Sequence, residues 1–126
     1  VQLCQQAGIT VKNQAVLLAG VNDGLSHQLA LWRGLSQQGI AAHYLHHPDR
    51  AAGNASFRVS IGRGRQLFGA LCDSGVTLPR YVLDLPDGRG KIPVMEMTQH
   101  NGNTWTFTHP GGSQSTYEDW QHWPAS

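Results

Sequence analysis

The sequence is poor in charge: nine basic and eight acidic residues make up 13% of 126 positions and leave a formal net charge of +1. The basic residues are scattered, so the chain lacks the clustered positive field needed to grip a nucleic-acid backbone or an anionic membrane. It has no run approaching the ~20 apolar residues of a membrane span. Its first residues, VQLCQQAGIT, contain neither a basic leader nor a continuous apolar stretch. These absences predict a soluble, intracellular chain with neither nucleic acid nor membrane as partner. Cysteine is scarce as well. Cys4 and Cys72 have no CxxC-type spacing and fall in segments that read as helical, so two buried thiols are expected rather than a disulfide. There is no internal repeat, no low-complexity linker and no initiating Met. With a helix-like segment already under way at Val1, further sequence is expected upstream.

What is present suits a folded α/β piece: 40% hydrophobic residues and 15 glycines, enough for a core and many tight turns. Val1 to Ala7 reads as a helix end stopped by Gly8, and ITVKNQAVLLAG as a strand bounded by Gly. From Leu25 the apolar positions Leu29, Trp32 and Leu35 recur at helical spacing up to Gly39. Ile40 to His47 is a second strand. After an irregular stretch, Ser60 is placed to cap a helix from Ile61 to about Asp73, burying Ile61, Leu67, Phe68 and Leu71 and closed by Gly75. RYVLDL is a third strand and DLPDGRGK a Gly-rich loop. Strand, helix, strand, helix, strand is the order of parallel strands with crossover helices. Beyond Pro93 the pattern changes to two alternating strands around an Asn101-Gly102 turn, and the tail through Trp120 and Trp123 is expected to pack back on the body.

In a parallel α/β arrangement, functional groups gather where strands end and loops begin. Asp49 follows the second strand, Asp84 closes the third, and Lys91 stands at the end of the Gly-rich loop. Together they place a lysine and two carboxylates on one rim. A lysine amine is a natural nucleophile for an aldehyde cofactor, and neighbouring glycines let a bulky ring approach the backbone. The alternative is a solvated lysine in a turn, with Asp49 and Asp84 as ordinary caps of the backbone. A nucleotide-binding Walker loop is disfavoured, because Leu85 and Ile92 stand where Gly and Ser or Thr are needed. His43, His46, His47 and Asp49 invite a metal reading. Successive side chains on a strand point to opposite faces, however, so the three histidines cannot all ligate one ion, and no metal site is assigned.

Three blocks, NQAVLLAGVND at 13–23, HYLHHPDRAAG at 43–53 and LPRYVLDLPDGRGKIPVM at 78–95, resemble the lysine 2,3-aminomutase family in content, order and interval. The likeness runs from about Ala7 to Met95. The resemblance implies a radical S-adenosylmethionine isomerase that converts lysine to β-lysine, using a [4Fe-4S] cluster and pyridoxal phosphate in a cytoplasmic enzyme. It implies that Lys91 bonds the pyridoxal phosphate aldehyde, that Gln14 contacts the cofactor phosphate, and that Asp49 and Asp84 hold the substrate's distant ammonium. His46 stands where the family often has Tyr near the cofactor. The fold it implies is the closing βα units of a partial TIM-like barrel over residues 1–95, followed by a carboxy-terminal hairpin and tail over 96–126.

The chain also departs from the family pattern. Asp87 and Arg89 replace usual glycines, and the Arg89 cation is expected to disfavour protonated Lys91 or to contact the cofactor phosphate. A branch that modifies a lysine on elongation factor P tends to carry Glu where Asp84 stands and to end soon after the cofactor lysine, so a free basic amino acid is the better substrate. The cluster of this superfamily is held by three closely spaced cysteines, which Cys4 and Cys72 cannot supply. The radical half is therefore expected upstream, and the isolated piece is expected to be inactive. Tail cysteines that bind zinc between subunits in some members are absent, so a homo-oligomer would need other contacts. The rival reading is a non-catalytic remnant or binding module of the same fold.

Overall fold

The computed structural model describes residues 12–18, 20–48, 59–85, 90–100 and 103–119. Strand β1 (Lys12–Val16) leads into helix α1 (Leu25–Gln37), then strand β2 (Ala41–His46) and helix α2 (Ile61–Asp73). Strand β3 (Arg80–Asp84), strand β4 (Lys91–Pro93) and a 3₁₀ turn (Val94–Glu96) follow. Strands β5 (Thr98–His100), β6 (Thr104–Thr108) and β7 (Gln114–Glu118) complete the described chain. The first sheet has the order β1-β2-β3-β4, with β1, β2 and β3 parallel and β4 antiparallel to β3. The second is a three-stranded antiparallel meander, β5-β6-β7. The architecture is thus mixed α/β with two open sheets among the described residues.

The helices form where capping and periodicity direct them. Ser60 accepts a hydrogen bond from the Arg63 backbone N–H at 3.1 Å, the ordinary N-cap geometry, and Gly75 turns the chain out beyond α2 with φ +77°. Ile61, Leu67, Phe68 and Leu71 are buried, as their spacing predicts. Helix α1 begins at Gly24 and is left at Gly39, whose φ of +73° only glycine adopts without strain. Its buried stripe contains a polar member, Gln28. The side-chain amide donates to the Asn22 carbonyl at 2.7 Å and accepts from Trp32 Nε1 at 2.8 Å, so its desolvation is compensated.

Leu45, Tyr81, Leu83 and Ile92 share the sheet face that packs under the helices with Trp32, Ile61, Phe68 and Leu71. Helix α2 approaches the sheet closely at Gly64, where a Cβ would land on the Tyr81 hydroxyl. That hydroxyl is hydrogen-bonded to buried His47 Nδ1 at 2.7 Å. At the amino end of α2, Asp119 Oδ2 accepts the Ile61 N–H at 2.7 Å and ties the second sheet to the helix.

Several expectations need correction. Lys91 does not end a loop; it opens β4, a strand too short to show a period in sequence. Cys72 is exposed rather than buried, because Leu67, Phe68 and Leu71 define the apolar stripe of α2 and Cys72 falls off it. The tail after Gly112 contributes a third strand, β7, to what was expected as a two-stranded hairpin. The proposed helix at Val1 to Ala7, with Cys4, and the Asn101-Gly102 turn lie outside the described residues, as do Trp120 and Trp123. Among the described residues no helix is long and apolar enough to cross a membrane.

Candidate functional site

Side chains alternate across a strand, so a face committed to the core fixes what the other face presents. In the first sheet the core takes Ala15, Leu45, Tyr81, Leu83 and Ile92. Gln14, Tyr44, His46, Asp84 and Lys91 fall on the opposite face. Register brings them into line, with Gln14 beside Tyr44, Val16 beside His46, His46 beside Val82, and Asp84 directly opposite Lys91. Four of the five residues singled out in the sequence, Gln14, His46, Asp84 and Lys91, therefore converge on one sheet surface. Asp49 lies outside the described residues, as do Asp87 and Arg89.

Lys91 Nζ is 3.5 Å from Asp84 Oδ1, with both side chains about half exposed. Opposite placement across an antiparallel pair brings the two Cβ atoms close enough for this contact without further support. Just beyond this pair the Leu85 N–H donates to the Gly90 carbonyl at 3.1 Å, and Gly90 sits at φ +88°. The same ammonium lies 5.8 Å from the centre of the Tyr44 ring, within reach of a cation–π contact. Tyr44 was not among the residues singled out; its signal was its position two before His46, on the same face. A recess of about 400 Å³ borders Lys91 and is lined in part by Tyr44, Val82, Pro93, Arg80 and Glu96.

His46 Nε2 is 3.1 Å from Gln14 Oε1. Since the amide oxygen only accepts, the imidazole donates through Nε2, and a neutral ring then keeps Nδ1 as its free acceptor. Burial pulls the His46 pKa below the usual value. Asp84 opposes that shift, while Lys91 and His43 add to it. His46 is thus in electrostatic contact with both members of the lysine–carboxylate pair. Its ring also lies 5.6 Å from that of Tyr44. The face presents one amine, one carboxylate, a neutral imidazole, a carboxamide and an aromatic ring.

His47 belongs to a different environment. It leaves the end of β2 on the buried side, where it pairs with Tyr81, and burial lowers its pKa to about 4 despite the opposing effect of the Val59 backbone. His46 and His47 therefore sit in separate surroundings, one in the site and one in the core.

No family model matches the chain. It is 38% identical over 122 residues to a putative L-lysine 2,3-aminomutase of Aquifex aeolicus, a match covering 92% of this chain and 32% of that protein. It is 32% identical over 126 residues to the L-lysine 2,3-aminomutase of Acetoanaerobium sticklandii, covering 97% of this chain and 30% of the relative. Against the L-lysine 2,3-aminomutase of Methanococcus maripaludis the identity is 41% over 91 residues, covering 71% of this chain and 21% of the relative. The chain spans about a third or less of the length of these relatives.

Proposed function

Over the segment that it shares with them, this chain belongs to the lysine 2,3-aminomutase family, and on that premise we propose that it is the pyridoxal-phosphate-binding part of an isomerase that moves an amino group on L-lysine. The observation that carries the reading is the placement of Lys91 opposite Asp84 on a sheet face that also holds Gln14, Tyr44 and His46. In the longer protein this sheet would supply closing strands of a partial barrel.

The donor set fits the cofactor. Lys91 offers a primary amine to an aldehyde, Tyr44 and His46 offer ring faces beside it, and Gln14 offers an amide to a phosphate oxygen. Pyridoxal phosphate, when bound, holds the substrate's α-amino group and lets it migrate between neighbouring carbons. The chain's own residues position and discriminate. Lys91 Nζ is the attachment point and Asp84 its partner. The same Asp84 carboxylate can accept from the distant ammonium of a basic amino acid, with Asp49 as its expected companion, and it repels an acidic side chain. Neutral His46, fixed by Gln14, orients rather than adds a second cation beside Lys91.

The [4Fe-4S] cluster and S-adenosylmethionine implied by the resemblance are a different matter. Two cysteines far apart in sequence do not fit a three-cysteine cluster site. The reading is tested by incubating the protein with pyridoxal phosphate, reducing with borohydride and mapping the labelled peptide. Label at Lys91 that is abolished in Lys91→Ala is the expected result. Label at Lys12 as strong as at Lys91 would reject the site.

A further inference from the structure

We propose that Arg65 is a positioning residue for Lys91, holding the lysine strand from behind through the backbone that follows it. The inference rests on Lys91 being the reactive amine of the proposed function.

Arg65 projects from the second turn of α2. Its Nη1 lies within hydrogen-bond distance of three backbone carbonyls of one short segment, Val94 at 3.0 Å, Met95 at 2.9 Å and Met97 at 3.1 Å, which share its two N–H groups. The guanidinium carbon also lies 5.3 Å from the centre of the Trp105 ring in β6. The segment so gripped is the 3₁₀ turn that immediately continues β4, beginning three residues after Lys91. Its side chains are already anchored, since Val94 and Met97 are buried in the core. Within this turn the Val94 carbonyl also accepts the Met97 N–H at 3.2 Å, and each carbonyl has a lone pair to offer a further donor. A cationic planar donor satisfies them more strongly than a neutral one and brings its orientation from a fixed helix.

The consequence for the site follows from how short β4 is. Only three residues pair with β3, and the Asp84 to Lys91 pairing is the one at the amino end of β4. One end of β4 is closed by the Leu85–Gly90 hydrogen bond. The other end is held by Arg65. Without that second anchor the strand keeps its core side chains but loses the constraint on its tilt, and Nζ moves relative to Asp84 and the Tyr44 ring. Displacements near 1 Å are enough to cost roughly 100-fold in a positioned reaction.

Arg65→Gln and Arg65→Lys in the full natural chain that carries these residues separate this from a general loss of stability. Two probes read Lys91 independently. Pyridoxal phosphate with borohydride reports the assembled site, and trinitrobenzenesulfonate reports simple access to the amine, with Lys12 as reference in both. Arg65→Gln is expected to cut pyridoxal labelling of Lys91 by roughly tenfold or more while raising its trinitrophenylation relative to Lys12, with the circular dichroism spectrum unchanged. Arg65→Lys keeps the charge but shortens the reach to the three carbonyls and removes the guanidinium from the Trp105 ring, and is expected to fall between Gln and wild type in both assays. It also serves as the informative variant if the Gln protein does not fold. A folded variant of either kind that matches wild type in the sulfonate ratio overturns the positioning role, whatever the cofactor does. Wild-type protein that takes no pyridoxal label, with the sulfonate ratio still shifted by Arg65→Gln, overturns the proposed function and leaves the mechanical role of Arg65 standing.

Discussion

Replacing Gly64 by Ala is, on helix propensity alone, a stabilising change of roughly 0.5–1 kcal/mol in a helix interior. The structure reverses that sign. An Ala Cβ at position 64 would occupy the place of the Tyr81 hydroxyl, with the Tyr81 ring carbon behind it at 3.0 Å. Tyr81 cannot easily retreat. It is 3% exposed, its ring lies 5.2 Å from that of Phe68, and its hydroxyl is bonded to His47 Nδ1. Overpacking of this kind costs about 1–3 kcal/mol. Breaking the buried hydroxyl–imidazole bond adds about 1–3 kcal/mol, because both groups lose a partner away from water. Against the propensity gain, the net expectation is a destabilisation of about 1–5 kcal/mol, centred near 3. Urea unfolding followed by tryptophan fluorescence, with Trp32 and Trp105 as buried reporters, should show the midpoint falling by roughly 1 M or more. Tyr81→Phe removes the clashing oxygen, so Gly64→Ala should cost less in that background, and the double-mutant cycle should return a favourable coupling. A Gly64→Ala protein as stable as wild type would refute the close approach of α2 to β3 on which the argument depends.

Other consequences follow from buried polar groups. His47 is held neutral with its pKa near 4, below the 6.5 expected of an unfolded chain, so the unfolded state binds the extra proton first as pH falls. The stability this neutral ring contributes is complete above pH 6.5 and is lost as pH drops toward 4. By linkage the loss is about 2 kcal/mol between pH 7 and pH 5. Urea midpoints at the two pH values should differ accordingly, and His47→Gln should flatten the difference; an equally steep variant would place the titrating group elsewhere. Asp119→Ala removes the carboxylate that accepts the Ile61 N–H and is expected to cost about 1–2 kcal/mol in the same assay. Asp119→Asn, which keeps an acceptor, should recover most of that, and equal losses in both would show that charge rather than the hydrogen bond matters.

How much of this was legible in the sequence depended on the length of the signal. Helix α2 is found at Ile61–Asp73 as expected, because Ser60, four apolar positions and Gly75 all point to the same boundaries. The strands β2 and β3 were legible for a similar reason, being apolar runs with glycine or proline nearby. The strand β4 was not, since three residues carry no period and the glycines before it give the whole stretch the composition of a loop. In β7 the alternation of buried Ser115 and Tyr117 with exposed Gln114, Thr116 and Glu118 is regular. Its residues are mostly polar, so hydrophobicity did not reveal it. The candidate site was legible as a set of residue types near strand ends. Its convergence was legible in part: strand ends put Asp84 and Lys91 on one rim, whereas the alignment of Gln14 and His46 with them depends on register, which the sequence does not state. Tyr44 and Arg65 were invisible for the same reason: one acts through a neighbouring strand and the other through backbone carbonyls far along the chain.

The register of β4 links the stability of the fold to the aim of its lysine. Ile92 is 2% exposed and its neighbour Lys91 points the other way. A slip of one residue in a strand exchanges its two faces. Here it would drive the Lys91 side chain under α2 and lift Ile92 into water. Losing the burial of one such aliphatic side chain costs about 1.5–3 kcal/mol, and burying an unpaired ammonium costs several more. The slipped state is therefore negligible, although only three residue pairs define the strand. Lys91 faces Asp84 because Ile92 belongs to the core, Val94 extends that anchorage into the next turn, and Gly90 provides the left-handed residue that lets the chain enter in this register. The apolar residues on the helix side of the sheet thus decide where the amine on the other side can reach, and a core substitution at Ile92 would act on the site without touching it.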